Sequence, residues 1–284
     1  RQGDNVVVNT LEFPSGVLPW LMLREKGVEV RVVEHTDWHV SSDDILAHVD
    51  GRTKLVMTSH VSFVSGSRLD YRNLYDALKA TDTLLLLDAT QALGAVPVDL
   101  QFADFVVSSS YKWLMSVHGL GVLAVNPART SRYMPASAGW RGVRELFYPE
   151  RFETFRFQDD ARKFELGFPS FPSIYTMNFS TGLLLEIGIE RIERHIAALG
   201  GEMIARLTGM GYNVMTPADP EKRAGNVSFV CEEGEAVAAA LLERNVYVWG
   251  GDGRVRVSLH LFNDSGDIRT FADILESLHR PAAS

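Results

Sequence analysis

From Val6 to Val125, short apolar bursts alternate with stretches of helical spacing, and this alternation restricts the fold more than any other feature of the chain. Bursts near 6–9, 28–33, 54–59, 83–88, 105–108 and 121–125 have the length and Val/Ile/Leu content of buried strands. Helical patterns fall between them near 16–26, 42–49 and 70–80. Strands separated by helices imply crossover connections, so the expected class is α/β with a mainly parallel sheet covered by helices. The last burst follows closely on its predecessor and is expected to run antiparallel.

Two of these strands end on chemically useful groups. Thr83 to Leu87 is an apolar run that delivers Asp88, with Gln91 three positions on, and Phe105 to Val107 runs into Ser108, Ser109, Ser110, Tyr111 and Lys112. Placed side by side, the two strands bring a carboxylate, hydroxyls and an amine to the carboxyl edge of the sheet, where ligands bind in open α/β folds. Taken singly, each residue has an ordinary explanation: Asp at a strand end is often a turn or helix cap, and Lys after a serine run is often solvated. The ordered set points further. An amine that must form a Schiff base has to lose its proton, which burial favours. A buried carboxylate keeps a pyridine nitrogen protonated, a side-chain amide donates to a ring oxygen, and hydroxyls donate to a phosphate.

The stretch from Thr58 through Val125 resembles the class V aminotransferase family of fold-type I pyridoxal-phosphate enzymes, which includes cysteine desulfurases, isopenicillin N epimerase-like proteins and kynureninases. The resemblance extends over nearly the whole chain. It implies that Lys112 carries pyridoxal 5'-phosphate and acts as general base, Asp88 faces the ring nitrogen, Gln91 the ring oxygen, and Ser109 and Tyr111 the phosphate. LEFPSGVLPW is similar to the family segment whose ring stacks on the cofactor, which assigns that part to Phe13. TSHVSFVSG is similar to the segment after the preceding strand and offers His60, whose other reading is a strand-end hydrogen bond. RVRVSLHLFN is similar to the segment whose arginine clamps the substrate carboxylate, a place that Arg256 fits better than Arg254. The resemblance further implies an amino-acid substrate, a homodimer, and an amino-terminal portion with a phosphate-binding turn ahead of Arg1.

Departures from the family pattern narrow the reaction. Desulfurase-like members carry a cysteine on a loop before the substrate-binding arginine, and the stretch 247–253 has none. The only thiol, Cys231, lies in the apolar run NVSFVC and reads as a buried core residue, so persulfide-forming desulfurase activity is not expected. Phe63 and Phe168 stand where many relatives have Asn and Thr. The expected function is transamination or carbon–sulfur or carbon–carbon lyase chemistry. The alternative is a catalytically silent relative used as a dimerisation or binding module.

The remaining sequence sets the organisation. Residues 1–172 read as the large cofactor-binding domain with an extended crossing segment from 127, and 173–284 as an interdomain helix and a smaller α+β domain. In the second part, helical periodicity after Ile174 is expected to break near Gly188 and near Gly200–Gly201. Strands are expected near 212–215, 226–231, 246–249 and 254–259, with helices near 234–244 and 265–278. GGDGRV is expected to be a hairpin turn and not a dinucleotide loop. His35 and His39 lie in a polar loop-like stretch, and no metal site is assigned. A net charge of −8 argues against nucleic-acid binding by bulk electrostatics. No run reaches the roughly 18 apolar residues of a membrane span. A single cysteine suits a reducing cytoplasm.

Overall fold

A computed structural model of the protein describes residues 1–279. Strands β1 (Asn5–Asn9), β2 (Glu29–Val33), β3 (Thr53–Ser59), β4 (Leu84–Asp88), β5 (Phe105–Ser109) and β6 (Gly121–Val125) form one sheet in the order β2-β1-β3-β4-β5-β6. Every pairing is parallel except β5 with β6, which is antiparallel as expected. Both faces of the sheet are apolar. On β1, Val7 enters one buried cluster with Val56, Leu85, Leu87 and Val106, while Val6 and Val8 enter another with Met57. Such two-sided burial is why these strands read as unbroken apolar bursts.

Helices α1 (Pro14–Leu21), α2 (Ser42–Leu46) and α3 (Tyr71–Leu78) connect the parallel strands. Ser41 and Asp44 form a reciprocal capping box at the start of α2, and the Asp70 side chain caps α3 by accepting from Asn73 N. The helix expected over 16–26 is divided: α1 passes into a 3-10 turn at Met22–Lys26, which Gly27 terminates in the left-handed conformation (φ 76°). After β6 comes a short helix α4 (Pro127–Thr130), then a largely irregular segment held by the isolated bridge between Val143 and Phe157.

Two long helices, α5 (Phe171–Ile187) and α6 (Ile189–Gly209), meet at Gly188, where φ of 92° breaks the helix as the sequence suggested. The second expected break does not occur, and α6 runs straight through Gly200 and Gly201. These glycines serve close packing: a Cβ on Gly200 would lie 3.3 Å from Arg223 Nε, and one on Gly201 3.4 Å from Arg223 Nη2. The apolar face of α6 (Ile192, Ile196, Leu199, Met203, Leu207) is buried throughout.

Helices α7 (Gly234–Leu242) and α8 (Ser265–His279) pack with a three-stranded antiparallel sheet of β7 (Asn226–Val230), β9 (Arg254–Ser258) and β8 (Trp249–Gly251), in that order. Asp252 and Gly253, both at positive φ, make the β8–β9 hairpin turn read from GGDGRV. Two expected strands differ. Residues 212–215 make only one bridge, Val214 to Phe229, because Gly211 (φ 86°) and Pro217 leave too short an extended run between them. The strand expected over 246–249 starts at Trp249, since Asn245 at φ 61° still belongs to the turn after α7.

Candidate active site

Register across the parallel strands assembles the site. Ser59 at the end of β3 pairs with Asp88 at the end of β4, and Asp88 pairs with Val107 two residues before the end of β5. All three strand ends open into a cavity of about 660 Å³, within the range of small-molecule sites. Phe13, Asp88, Gln91, Ser109, Tyr111 and Lys112 all line it, so six of the eight residues singled out from sequence share one cavity.

The local bonding gives each group a direction. Asp88 Oδ1 accepts from Thr90 N at 2.7 Å, which fixes the carboxylate at the strand end. Gln91 Oε1 accepts from Trp113 Nε1 at 2.8 Å and from Asn226 Nδ2 at 3.1 Å. Because both partners are donors, the oxygen of the Gln91 amide is assigned inward and its NH2 is the group left for the cavity. Ser109 Oγ is buried without a protein partner among the described residues. The Phe13 ring packs edge-on against Phe63 with centroids 5.2 Å apart, and Lys112 Nζ lies 5.6 Å from the Phe13 centroid. Tyr111 is 42% exposed at the rim and stacks on His118.

Burial pushes the Lys112 amine below the ordinary lysine value, the Arg256 guanidinium pushes in the same direction, and Asp88 opposes them. The result is an amine more readily neutral than a surface lysine. Arg256 does not itself line the cavity. It stands behind Phe63, donating from Nη1 to Phe63 O at 2.9 Å, with its Nε buried and without a partner among the described residues. Its cross-strand neighbour is Trp249.

His60 is not brought to this cavity. It is buried on the other side of the β3 end, where Nδ1 donates to Leu69 O at 3.1 Å and Nε2 accepts from Arg68 Nε at 3.4 Å. Burial, reinforced by the Arg68 charge, lowers its pKa to about 3, so it is neutral. Of the two readings of His60, the geometry matches the strand-end hydrogen bond. Three contributors lacked a sequence signal of their own. Glu12 is buried, bonded to Asn9 and Ser59 beneath the cavity, and its pKa is raised by desolvation. Its nearest clue was adjacency to Phe13. Trp113, 22 residues on, and Asn226, 135 residues on, orient Gln91 together, a relation that only folding reveals.

The aminotransferase class-V family profile matches residues 1–271. The chain belongs to that family. Among relatives, a protein named "Probable cysteine desulfurase" from Methanothermobacter thermautotrophicus is 27% identical over 98% of this chain and 74% of its own length. The apo structure of a cysteine desulfurase from Thermococcus onnurineus NA1 superposes with a TM-score of 0.89 at 25% identity, covering 98% of this chain and 73% of that one. A C-DES variant with glycine covalently linked to its PLP cofactor gives a TM-score of 0.86 at 20% identity over 97% and 74%, and so shares the fold. The chain spans 65–74% of the length of three curated relatives it matches.

Pyridoxal phosphate is the cofactor that this family implies, and the donor set fits it. The cavity supplies an acid for a ring nitrogen, an oriented amide NH2, an aromatic ring on one wall, an amine that burial makes easier to deprotonate, and a hydroxyl (Ser109 Oγ) still lacking a partner.

Proposed function

We propose that the protein is a pyridoxal-phosphate enzyme acting on an amino-acid substrate by transamination or by carbon–sulfur or carbon–carbon lyase chemistry. Bound cofactor supplies an electron sink for the carbanion formed when a substrate bond at the alpha carbon breaks. Lys112 would hold it covalently and, once released, move a proton to or from the substrate alpha carbon, a contribution of about 10²–10⁴-fold. Asp88 would keep the ring nitrogen protonated, Gln91 NH2 would donate to the ring oxygen, and Ser109 and Tyr111 would donate to the phosphate. Phe13 excludes water from one ring face. Arg256 would bind the substrate carboxylate through Nε, which lacks an acceptor among the described residues.

The single observation that carries this reading is Lys112, a partly buried amine in the same cavity as Asp88, with its proton affinity lowered. Persulfide formation is not part of the proposal. Cys231 is 7% exposed in the cluster around Phe229 and Val255, and burial raises its pKa, which leaves an unreactive thiol. A homodimer in a reducing cytoplasm completes the proposal. The outward side chains of α5, Phe171, Tyr175 and Phe179, are 47%, 72% and 78% exposed at helical spacing and offer an apolar contact face. The test is absorbance of full-length, cofactor-loaded protein against a panel of amino acids. Substrate-dependent spectral change with keto-acid or cleavage products supports the proposal, and an inert spectrum with every amino acid refutes it.

A further inference from the structure

The one face of the small sheet that carries Arg256 carries a second arginine. Arg254 lies two residues earlier on β9, so both side chains leave the strand on the same side, about 7 Å apart along it. Trp249, directly across from Arg256, packs against both guanidinium groups, at 4.5 Å from Arg254 Cζ and 5.5 Å from Arg256 Cζ. The Phe63 ring that lines the cavity sits 5.6 Å from Arg254 Cζ, and its carbonyl holds Arg256. Two cations therefore flank one aromatic wall of the proposed active site.

Their charges are poorly answered by the protein. Arg254 is 5% exposed, and among the described residues its one ion-pair partner is Asp252, at 3.4 Å and 74% exposed. A solvated carboxylate is weak compensation for a buried guanidinium. Stacking on Trp249 and Phe63 answers only the flat face of the group, and the in-plane N–H donors still need acceptors. Among the described residues, Arg254 Nε and Nη2 are both buried without a partner, as is Arg256 Nε. Nε and Nη2 together form the side-on fork that grips a carboxylate through two parallel bonds, so on Arg254 the whole buried fork lacks an acceptor among the described residues. Burial pushes the proton affinity of both arginines down, the mark of two cations held without enough counter-charge.

We propose that Arg254 is a specificity-determining residue that binds a second anionic group on the substrate, making this a site for amino acids with an acidic side chain. The proposal rests on the reading of Arg256 as the alpha-carboxylate clamp. An aspartate- or glutamate-like substrate places its two acidic groups on the two neighbouring forks. Uncharged isosteres leave the Arg254 fork empty.

The experiment compares L-aspartate with L-asparagine, and L-glutamate with L-glutamine, on full-length cofactor-loaded protein, reading kcat/KM and the cofactor absorbance. The acid-to-amide preference is expected to exceed tenfold in the wild type and to fall about ten- to a hundredfold in Arg254→Gln, with Arg254→Lys between them. Wild-type parity between acid and amide, or a preference unaltered in an Arg254→Gln protein that still binds cofactor, would overturn it. Succinate and succinamate binding to the wild type, measured by calorimetry, needs no variant, and equal affinities also overturn the proposal. If no amino acid perturbs the absorbance, the proposed function fails. Arg254 is then judged by succinate alone, whose preference over succinamate supports the second anion site.

Discussion

Replacing Glu12 separates the part of the site that is built by buried polar contacts from the part built by apolar packing. Glu12 Oε1 accepts from Asn9 Nδ2 at 2.5 Å and from Ser59 N at 2.8 Å, while Oε2 takes the Ser59 hydroxyl at 2.5 Å. These bonds tie the turn bearing Phe13 to the end of β3, next to Asp88. In Glu12→Ala, the hydroxyl can rotate toward another acceptor, but Ser59 N and one hydrogen of Asn9 Nδ2 stay where they are. Two buried donors orphaned at about 1–3 kcal/mol each give a loss of about 2–6 kcal/mol. For a chain this long that corresponds to a fall in melting temperature of roughly 3–10 °C. Glu12→Gln keeps the oxygen for both fixed donors and offers its NH2 to Ser59 Oγ, so it should lie near the wild type. Calorimetric or denaturant unfolding at neutral pH distinguishes the two variants. Equal stability of Glu12→Ala and Glu12→Gln would refute the reasoning. The pH dependence supplies a sign. Since the folded pKa of Glu12 is raised by burial, its linked stability is fully present below the unfolded value near 4.5 and is lost as pH rises through the folded pKa. Glu12→Gln should remove that decline.

Other expectations follow from single contacts. Gly225→Ala would place a Cβ 2.3 Å from the Trp113 ring and 2.6 Å from Leu259 O, so it should unfold the Gln91 anchor and lower the melting temperature by several degrees, readable by thermal scan. Lys112 should capture added pyridoxal phosphate with a rate–pH midpoint below the ordinary 10.5, measured by stopped-flow absorbance, and a midpoint at or above that value would contradict its burial beside Arg256. Arg256→Ala should raise the apparent KM for the amino acid at least tenfold with cofactor binding retained, and an unchanged KM would move the carboxylate clamp elsewhere.

What the sequence disclosed was local, and what it concealed was tertiary. The LLLLD burst and the run into SSYK are read easily because a strand buried on both faces must be apolar along its length, and its first polar residue marks the ligand edge. Asp88, Gln91, Ser109, Tyr111 and Lys112 were legible for that reason, through short spacings at adjacent strand ends, and Phe13 through the resemblance of LEFPSGVLPW to a family segment. His60 pointed away because residues at a strand end can leave on either side of the sheet, and spacing does not say which. Glu12 looks like an ordinary surface charge in one dimension and Arg254 stood only second to Arg256 for the carboxylate clamp, since only the packing of β3 or Trp249 over them makes them buried. Gly200 and Gly201 look like helix breakers until Arg223 is seen against them. The extended run at 212–215 looks like a strand until Gly211 and Pro217 prove too close together.

In the proposed function, Lys112 is the nitrogen that captures the cofactor in the cavity it shares with Asp88. Full-length protein loaded with pyridoxal phosphate, reduced with borohydride and mapped by peptide mass spectrometry, tests it directly. A reduced adduct is expected on the peptide containing Lys112, absent in Lys112→Ala together with the cofactor absorbance. An adduct on any other lysine of the wild type, or undiminished absorbance in the variant, would contradict it.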